Sequence, residues 1–179
     1  MSTGKITLYI ATSVDGYIAD EAGGVTWLEA FEAAASDADI EAFTAFYESV
    51  DCLVMGAKTY EQVRSFGAWP YDDTPTYVCT HRELSPATDA VEFVSQPVAT
   101  LSTTLKQRHD HIWLVGGAQL AQAFLADHAI DELRLSLVPV LLGAGVPLFA
   151  GEYDQQQLRL LDTTPRDTGI VEHHYEILG

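Results

Sequence analysis

Two stretches of the chain share one design. Asp51 to Met55 (DCLVM) and Ile112 to Val115 (IWLV) are unbroken apolar runs that stop at glycine, Gly56 in the first and Gly116-Gly117 in the second. A helix-forming segment follows each: Thr59 to Val63 opens like a helix, and apolar residues recur at three and four through Ala118 to Ala126. Short apolar runs bounded by turn signals read as strands buried on both faces, and such strands belong to parallel sheets covered by helices. Two strand-glycine-helix units therefore commit the chain to an α/β architecture.

The remaining segments extend that sheet. Lys5 to Ala11 (KITLYIA) is a strand leading into the turn Thr12 to Gly16, and a central first strand is the economical arrangement. Ala22 to Trp27 is irregular. Ser36 to Asp39 supplies N-cap candidates for an amphipathic helix with the period Ile40, Phe43, Phe46, Tyr47 and Val50. Thr76 to Cys79 and Val91 to Val94 read as strands and Val98 to Arg108 as a helix. Leu133 to Leu142 reads as a long strand whose Pro139 puts it near a sheet edge or a bulge. Leu158 to Asp162 and Ile170 to Leu178 can pair antiparallel through the turn Thr163 to Gly169. The expectation is one domain over residues 1–179, a mostly parallel central sheet with antiparallel C-terminal strands and flanking helices.

Charge narrows the partners. Nine Lys and Arg oppose 26 Asp and Glu, for a net charge of −17, so the average surface repels nucleic acid and acidic membranes. No apolar run approaches the roughly 18 residues of a membrane span, and the N-terminus has no signal-peptide layout, which suits a cytoplasmic protein. Cys52 and Cys79 lie in apolar runs without CxxC spacing and read as reduced core thiols. His109 and His111 flank a polar turn, and His173 and His174, adjacent on a strand, point to opposite faces; no metal site is expected.

Chemistry belongs beyond the carboxyl ends of the strands, where helices begin. Glycine there admits an anion close to the backbone, and the helix behind it offers unpaired N–H groups and a positive dipole end. Neither GxGxxG nor GxxxxGK[ST] occurs.

Three segments in order, Ser13-Val14-Asp15-Gly16-Tyr17-Ile18-Ala19, Val54-Met55-Gly56-Ala57-Lys58-Thr59-Tyr60-Glu61 and Val115-Gly116-Gly117-Ala118, resemble dihydrofolate reductases. The chain is more similar still to the reductase domain of bifunctional riboflavin-biosynthesis deaminase/reductases and their stand-alone relatives, through Asp131-Glu132-Leu133 and the stretch from Pro139-Val140-Leu141-Leu142-Gly143 to Pro147-Leu148-Phe149. The resemblance spans nearly the whole chain. It implies a dihydrofolate-reductase-like fold, a homodimer through the late strands and an NADPH site. In that site Val115, Gly116, Gly117, Ala118, Gln119 and Leu120 wrap the pyrophosphate, Gly56, Ala57, Lys58 and Thr59 cover it, and Ala11 joins from the first strand. Thr80, His81 and Arg82 meet the 2′-phosphate. A cis Gly116-Gly117 peptide is also implied. Ala57 departs from the pattern, since many relatives carry Arg there.

Arg82 stands on physical grounds as well, since a guanidinium just past a strand end is a good bidentate partner for phosphate in a chain with few cations. The substrate side is sparser. The resemblance puts Trp27 and Asp15 at the segment that folds over the nicotinamide, with Asp15 a catalytic candidate for orienting or relaying a proton. Asp39 and Phe43 are the substrate-binding candidates on the first helix, although Asp39 fits an N-cap role equally and Glu41 fits a solvent-facing charge. Trp69-Pro70-Tyr71-Asp72-Asp73, where a folate-tail arginine would fall, has no cation. Arg64 is the one obvious partner for a ribosyl phosphate.

The expected function is an NADPH-dependent reductase transferring hydride to a small heterocyclic or carbonyl substrate. The alternatives are the riboflavin-pathway ribosylaminopyrimidine reductase and a nucleotide-binding relative without catalysis.

Overall fold

The computed structural model describes residues 3–179. Its elements run β1 (Lys5–Ser13), β2 (Tyr17–Ala19), α1 (Thr26–Ala33), α2 (Asp37–Glu48), β3 (Cys52–Gly56), α3 (Ala57–Ser65), β4 (Thr76–Cys79), β5 (Val91–Val94), α4 (Val98–Arg108), β6 (His111–Gly116), α5 (Ala118–Ala126), β7 (Glu132–Val138), β8 (Val146–Pro147), β9 (Gln157–Pro165) and β10 (Val171–Leu178). Eight strands form one sheet in the order β5-β4-β3-β6-β1-β7-β10-β9. The first six pair in parallel and β10 pairs antiparallel with both β7 and β9. β1 lies between β6 and β7, so the first strand is indeed central.

Each sheet face has its own core because the strands are apolar on both sides. Ile6, Leu8, Val54, Ile112 and Leu114 meet Leu101 and Leu105 of α4 and Phe124 and Leu125 of α5 on one face. On the other, Leu53, Met55, Val78 and Trp113 meet Phe46 of α2 and Tyr60 of α3. Burial of this kind contributes about 25 cal/mol per Å² of apolar surface and is the main force holding helices to the sheet.

Three expectations are corrected. The strand predicted over Leu133 to Leu142 ends at Val138, and it lies inside the sheet between β1 and β10. Pro139, which has no N–H to give the ladder, terminates the strand where an edge or bulge was expected, and the Val140 N–H turns back to the Val138 carbonyl at 2.7 Å. A helix, α1, begins at Thr26 at the end of the stretch read as irregular; it has no side-chain N-cap and no buried residue, so it lacks both signals by which a helix is recognised. The short pairing of β2 with β8 also had no sequence signal.

The α2 helix starts as its sequence suggests, with Ser36 as N-cap and Asp39 closing a capping box. Its apolar period is not all core. Phe46 is buried, whereas Ile40 and Phe43 are 57% and 43% exposed, and Phe43 lines a cleft.

Candidate functional site

The two glycine turns meet. β3 and β6 are neighbours, paired with Met55 opposite Gly116, and each runs through glycine into a helix: β3 ends on Gly56, the N-cap of α3, and β6 ends on Gly116, one residue before Gly117, the N-cap of α5. Neither helix has a side chain capping its first turn, so the N–H groups and the positive dipole ends of both are directed to one place. Side chains would crowd it. A Cβ on Gly116, whose φ is +124°, would lie 3.1 Å from Ile10 Cδ1, and one on Gly117 would lie 3.2 Å from Thr59 Oγ1. The Gly116-Gly117 peptide is cis.

Around these turns, Ala118 is buried, Leu120 leans on the core, and Lys58 and Gln119 are exposed. Thr80, His81 and Arg82 follow the end of β4. The Thr80 hydroxyl accepts the Arg82 N–H at 3.0 Å, and the Arg82 guanidinium donates to both oxygens of Glu61, at 3.2 and 2.8 Å. That ion pair holds the Glu61 carboxyl below its usual range. His81 is exposed.

A cleft of about 390 Å³ opens between α1, α2, the carboxyl halves of β1, β6 and β7, and the β9–β10 turn. Ala11 and Val115, expected at the cofactor, are on its wall, so the cleft borders the glycine turns. Phe43 and Asp39 line it as well. Tyr9, Phe43 and Trp113 form an aromatic group in it, with ring centroids 5.9 to 6.3 Å apart.

Its polar side is a network that the sequence did not reveal. Arg166, in the turn after β9, lies 3.3 Å from Asp39 and 3.4 Å from Glu172, and Glu172 also takes a 2.6 Å bond from Arg134. Arg134 covers the rings of Tyr9 and Phe46 at 5.1 and 5.0 Å, and the Tyr9 hydroxyl donates to Glu172 at 2.9 Å. Burial, then the Glu172 charge, raises the Tyr9 phenol to about 12. The Ser36 N–H, the Ser36 hydroxyl and Arg166 keep the Asp39 carboxyl below its usual range. Asp39 is thus both a capping residue and part of the cleft wall.

Several sequence-derived positions fall elsewhere. Arg64, the sequence candidate for a ribosyl phosphate, donates to the Ser85 carbonyl at 2.9 Å and lies over Tyr60, away from the cleft wall. The cation on the wall is Arg166, hidden in a segment that reads only as a turn. Asp15 is likewise off the wall. It accepts the Ser13 hydroxyl at 2.6 Å and the Leu142 and Gly143 N–H groups at 3.1 and 2.8 Å, which fastens the β1–β2 turn to the loop after β7. Those bonds, the Ser13 one foremost, stabilise its charged form, so as placed it is a poor proton donor. Trp27, in the first turn of α1, is partly buried and not on the wall, where Leu28 and Phe31 of the same helix are.

Cys52 and Cys79 are unpaired, and burial raises their thiols to about 12 and about 11, which makes them unreactive. His109 is bonded to Tyr77, His111 to Thr7 and Ser49, His173 to Thr163 and His174 to Glu132.

With this geometry the chain matches known proteins over its length. Residues 4–171 match the model of the RibD C-terminal domain. The chain belongs to that family. Its RibD-type domain is 36% identical over 172 residues to the uncharacterised protein YwjB of Bacillus subtilis (strain 168), covering 95% of this chain and 97% of that one. It matches the crystal structure of a putative riboflavin biosynthesis protein from Shewanella sp. PV-4 with a TM-score of 0.84 and 28% identity, over 98% and 99% of the two chains. Dihydrofolate reductase from Enterococcus faecalis, solved as a complex with NADP(H) and RAB-propyl, matches with a TM-score of 0.70 and 17% identity over 99% and 98%, a likeness of fold. The fold is therefore dihydrofolate-reductase-like.

Proposed function

We propose that this RibD-type chain is an NADPH-dependent reductase that delivers hydride to a small heterocyclic or carbonyl substrate held in the cleft. One observation carries the proposal: two uncapped helix N-termini converge on Gly56 and Gly117, and the strand residues beside them, Ala11 and Val115, also form the cleft wall. A dinucleotide needs an anion site and a planar site side by side, and these elements supply both. The NADP(H) complex of the Enterococcus faecalis enzyme of the same fold supports the choice of cofactor.

The residues that would hold the nucleotide are Gly116 to Leu120 and Gly56 to Thr59 at the pyrophosphate and Thr80 to Arg82 at the 2′-phosphate. Bound there, the cofactor supplies the hydride. The protein's own work is to orient the substrate against Tyr9, Phe43 and Trp113 and to keep water from the apolar part of the cleft, because hydride transfer needs positioning more than a protein nucleophile. A second reading, reduction of a ribosylaminopyrimidine in riboflavin synthesis, is favoured by the family and by the Shewanella relative. We further propose a homodimer through β9 and a cytoplasmic location, which the two free thiols suit.

The test is a titration of purified protein with NADPH and with NADH, read by tryptophan emission, repeated with Arg82→Ala. Saturable binding that favours NADPH, with the preference lost in the variant, is expected. Failure of both nucleotides to bind would remove the reductase proposal; binding without oxidation across a substrate panel would leave a nucleotide-binding protein.

A further inference from the structure

The cleft wall carries its charges already matched. Among the described residues, Arg166 is the one Lys or Arg on the wall, and its guanidinium is engaged by Asp39 and Glu172. Glu172 in turn holds Arg134 from behind, and Glu32 adds a further carboxylate at the α1 side. Wall and backing therefore set three carboxylates against two guanidiniums. The network is fixed, with carboxylates in excess: the side chains of Arg166, Asp39 and Glu172 are only 16%, 17% and 9% exposed, and α2, β7, β10 and the β9–β10 turn supply its ion pairs.

A phosphate arriving here would meet no free cation and at least two nearby carboxylates. Displacing Arg166 from its partners would leave those carboxylates unpaired in a site largely shielded from water, which is strongly unfavourable. An uncharged ring with adjacent N–H and C=O groups meets the opposite situation. Carboxylate oxygens accept from its N–H, a guanidinium donates to its C=O, and both are charge-assisted bonds that leave the ion pairs in place. The aromatic group Tyr9, Phe43 and Trp113 offers faces for the ring itself. The cleft's about 390 Å³ is near the small end of ligand pockets, which suits a substrate without a long substituent.

We propose that the cleft selects a phosphate-free, uncharged planar heterocycle bearing a cyclic amide edge, and that Arg166, held between Asp39 and Glu172, is the residue that reads this edge and excludes phosphorylated substrates. The proposal builds on the reductase assignment and separates this chain from a reductase whose substrate carries a ribosyl phosphate.

Calorimetric titration tests it with two matched pairs, on the protein alone and with NADP+ present. The first pair is pteridine-2,4-dione and its 1,3-dimethyl derivative, which differ in the N–H donors; the second is uridine and uridine 5′-monophosphate, which differ in the phosphate. The dione is expected to bind about tenfold or more tightly than its dimethyl derivative, the scale of one hydrogen bond to a charged group. Uridine 5′-monophosphate is expected to bind no better than uridine. Arg166→Gln should lose most of the dione affinity, and Asp39→Asn, which releases part of the guanidinium, should shift the second pair toward the monophosphate. Equal binding of the first pair, absence of saturable dione binding, or tighter binding of the monophosphate to the wild-type protein would each overturn the proposal. These wild-type results stand even if a variant unfolds. Should the dione bind as expected while NADP+ and NADPH do not, the reductase assignment fails and the cleft specificity survives.

Discussion

Arg82 and Glu61 form a bidentate pair across the mouth of the proposed 2′-phosphate site, with both side chains about half exposed. A phosphate at Arg82 has to share or replace the Glu61 carboxylate, so Glu61 opposes NADPH and leaves NADH largely untouched. An exposed pair gives way readily and is weakened by salt. Glu61→Gln is expected to tighten NADPH binding several-fold with little change for NADH. Arg82→Ala is expected to weaken NADPH by about tenfold, the effect of one charge-assisted hydrogen bond. Parallel titrations at low and high salt check both; equal effects on the two nucleotides would show that this pair does not face the 2′-phosphate.

Glu172 is the hinge of the cleft network, with two guanidiniums and the Tyr9 hydroxyl on one buried carboxylate. Removing its charge leaves Arg134 without its carboxylate and Arg166 with Asp39 alone, and breaking a buried pair in this way costs about 3–5 kcal/mol. Glu172→Gln should therefore fall near the lower end, because the amide keeps one acceptor. Tyr9→Phe loses a hydrogen bond to a carboxylate and should cost about 1.5–3 kcal/mol. Urea denaturation at neutral pH measures both, and a Glu172→Gln protein as stable as the parent would mean that the network is solvated in solution.

These residues also mark where the sequence stops being informative. The glycine turns, the central first strand and the capping of α2 follow from local rules, and the sequence shows them because strand burial, turn chemistry and N-cap preference act over a few residues. Arg134, Arg166 and Glu172 come together only because β10 folds back antiparallel against β7, with Glu172 beside Ser136, and because the turn before β10 reaches α2. No local pattern encodes that meeting. The scarcity of cations is the available signal, and it points to Arg64, the one obvious candidate, which sits in the last turn of α3, whereas Arg166 is disguised by a turn. Phe43 carries two readings: its helical period reads as core and its place on the helix makes it a substrate-binding candidate, and it is 43% exposed on the cleft wall.

His111 gives the fold a dependence on pH. Its ring lies 3.0 Å from the Thr7 hydroxyl, and Nδ1 is 3.1 Å from the Ser49 carbonyl, an arrangement in which Nδ1–H donates and Nε2 accepts. Burial, then the Lys5 charge, lowers its pKa, and burial lowers that of His109 too. For a histidine depressed in the folded state, protons bind the unfolded chain more readily. Stability is then full above the unfolded value of about 6.5 and is lost as pH falls from there through the folded-state values. Glu132 adds a second, lower step: burial opposes its charge, but hydrogen bonds from His174 and Lys5 outweigh that and depress its pKa, so its contribution is lost below about 4.3. Melting temperature measured from pH 8 to pH 5 should decline below about 6.5, and His111→Gln should flatten that decline. A flat profile in the parent would mean that both imidazoles are solvated.

The proposed dimer is open to the same kind of test. β9 is an edge of the main sheet, nine residues long, with Leu158, Leu160 and Leu161 exposed at 40%, 52% and 45%. Leu158 and Leu160 stand opposite Ile177 and Tyr175 of β10, so they extend an apolar face instead of interrupting it. An unprotected apolar edge is an invitation to pair, and a second copy related by a twofold axis covers the β9 edge of both chains at once. Sedimentation equilibrium at micromolar concentration is expected to give a dimer. Leu160→Glu puts one charge on each side of the twofold and should yield a folded monomer, with the same far-ultraviolet circular dichroism as the parent. A parent protein that sediments as a monomer would refute dimerisation; a Leu160→Glu protein that still dimerises would move the interface away from β9.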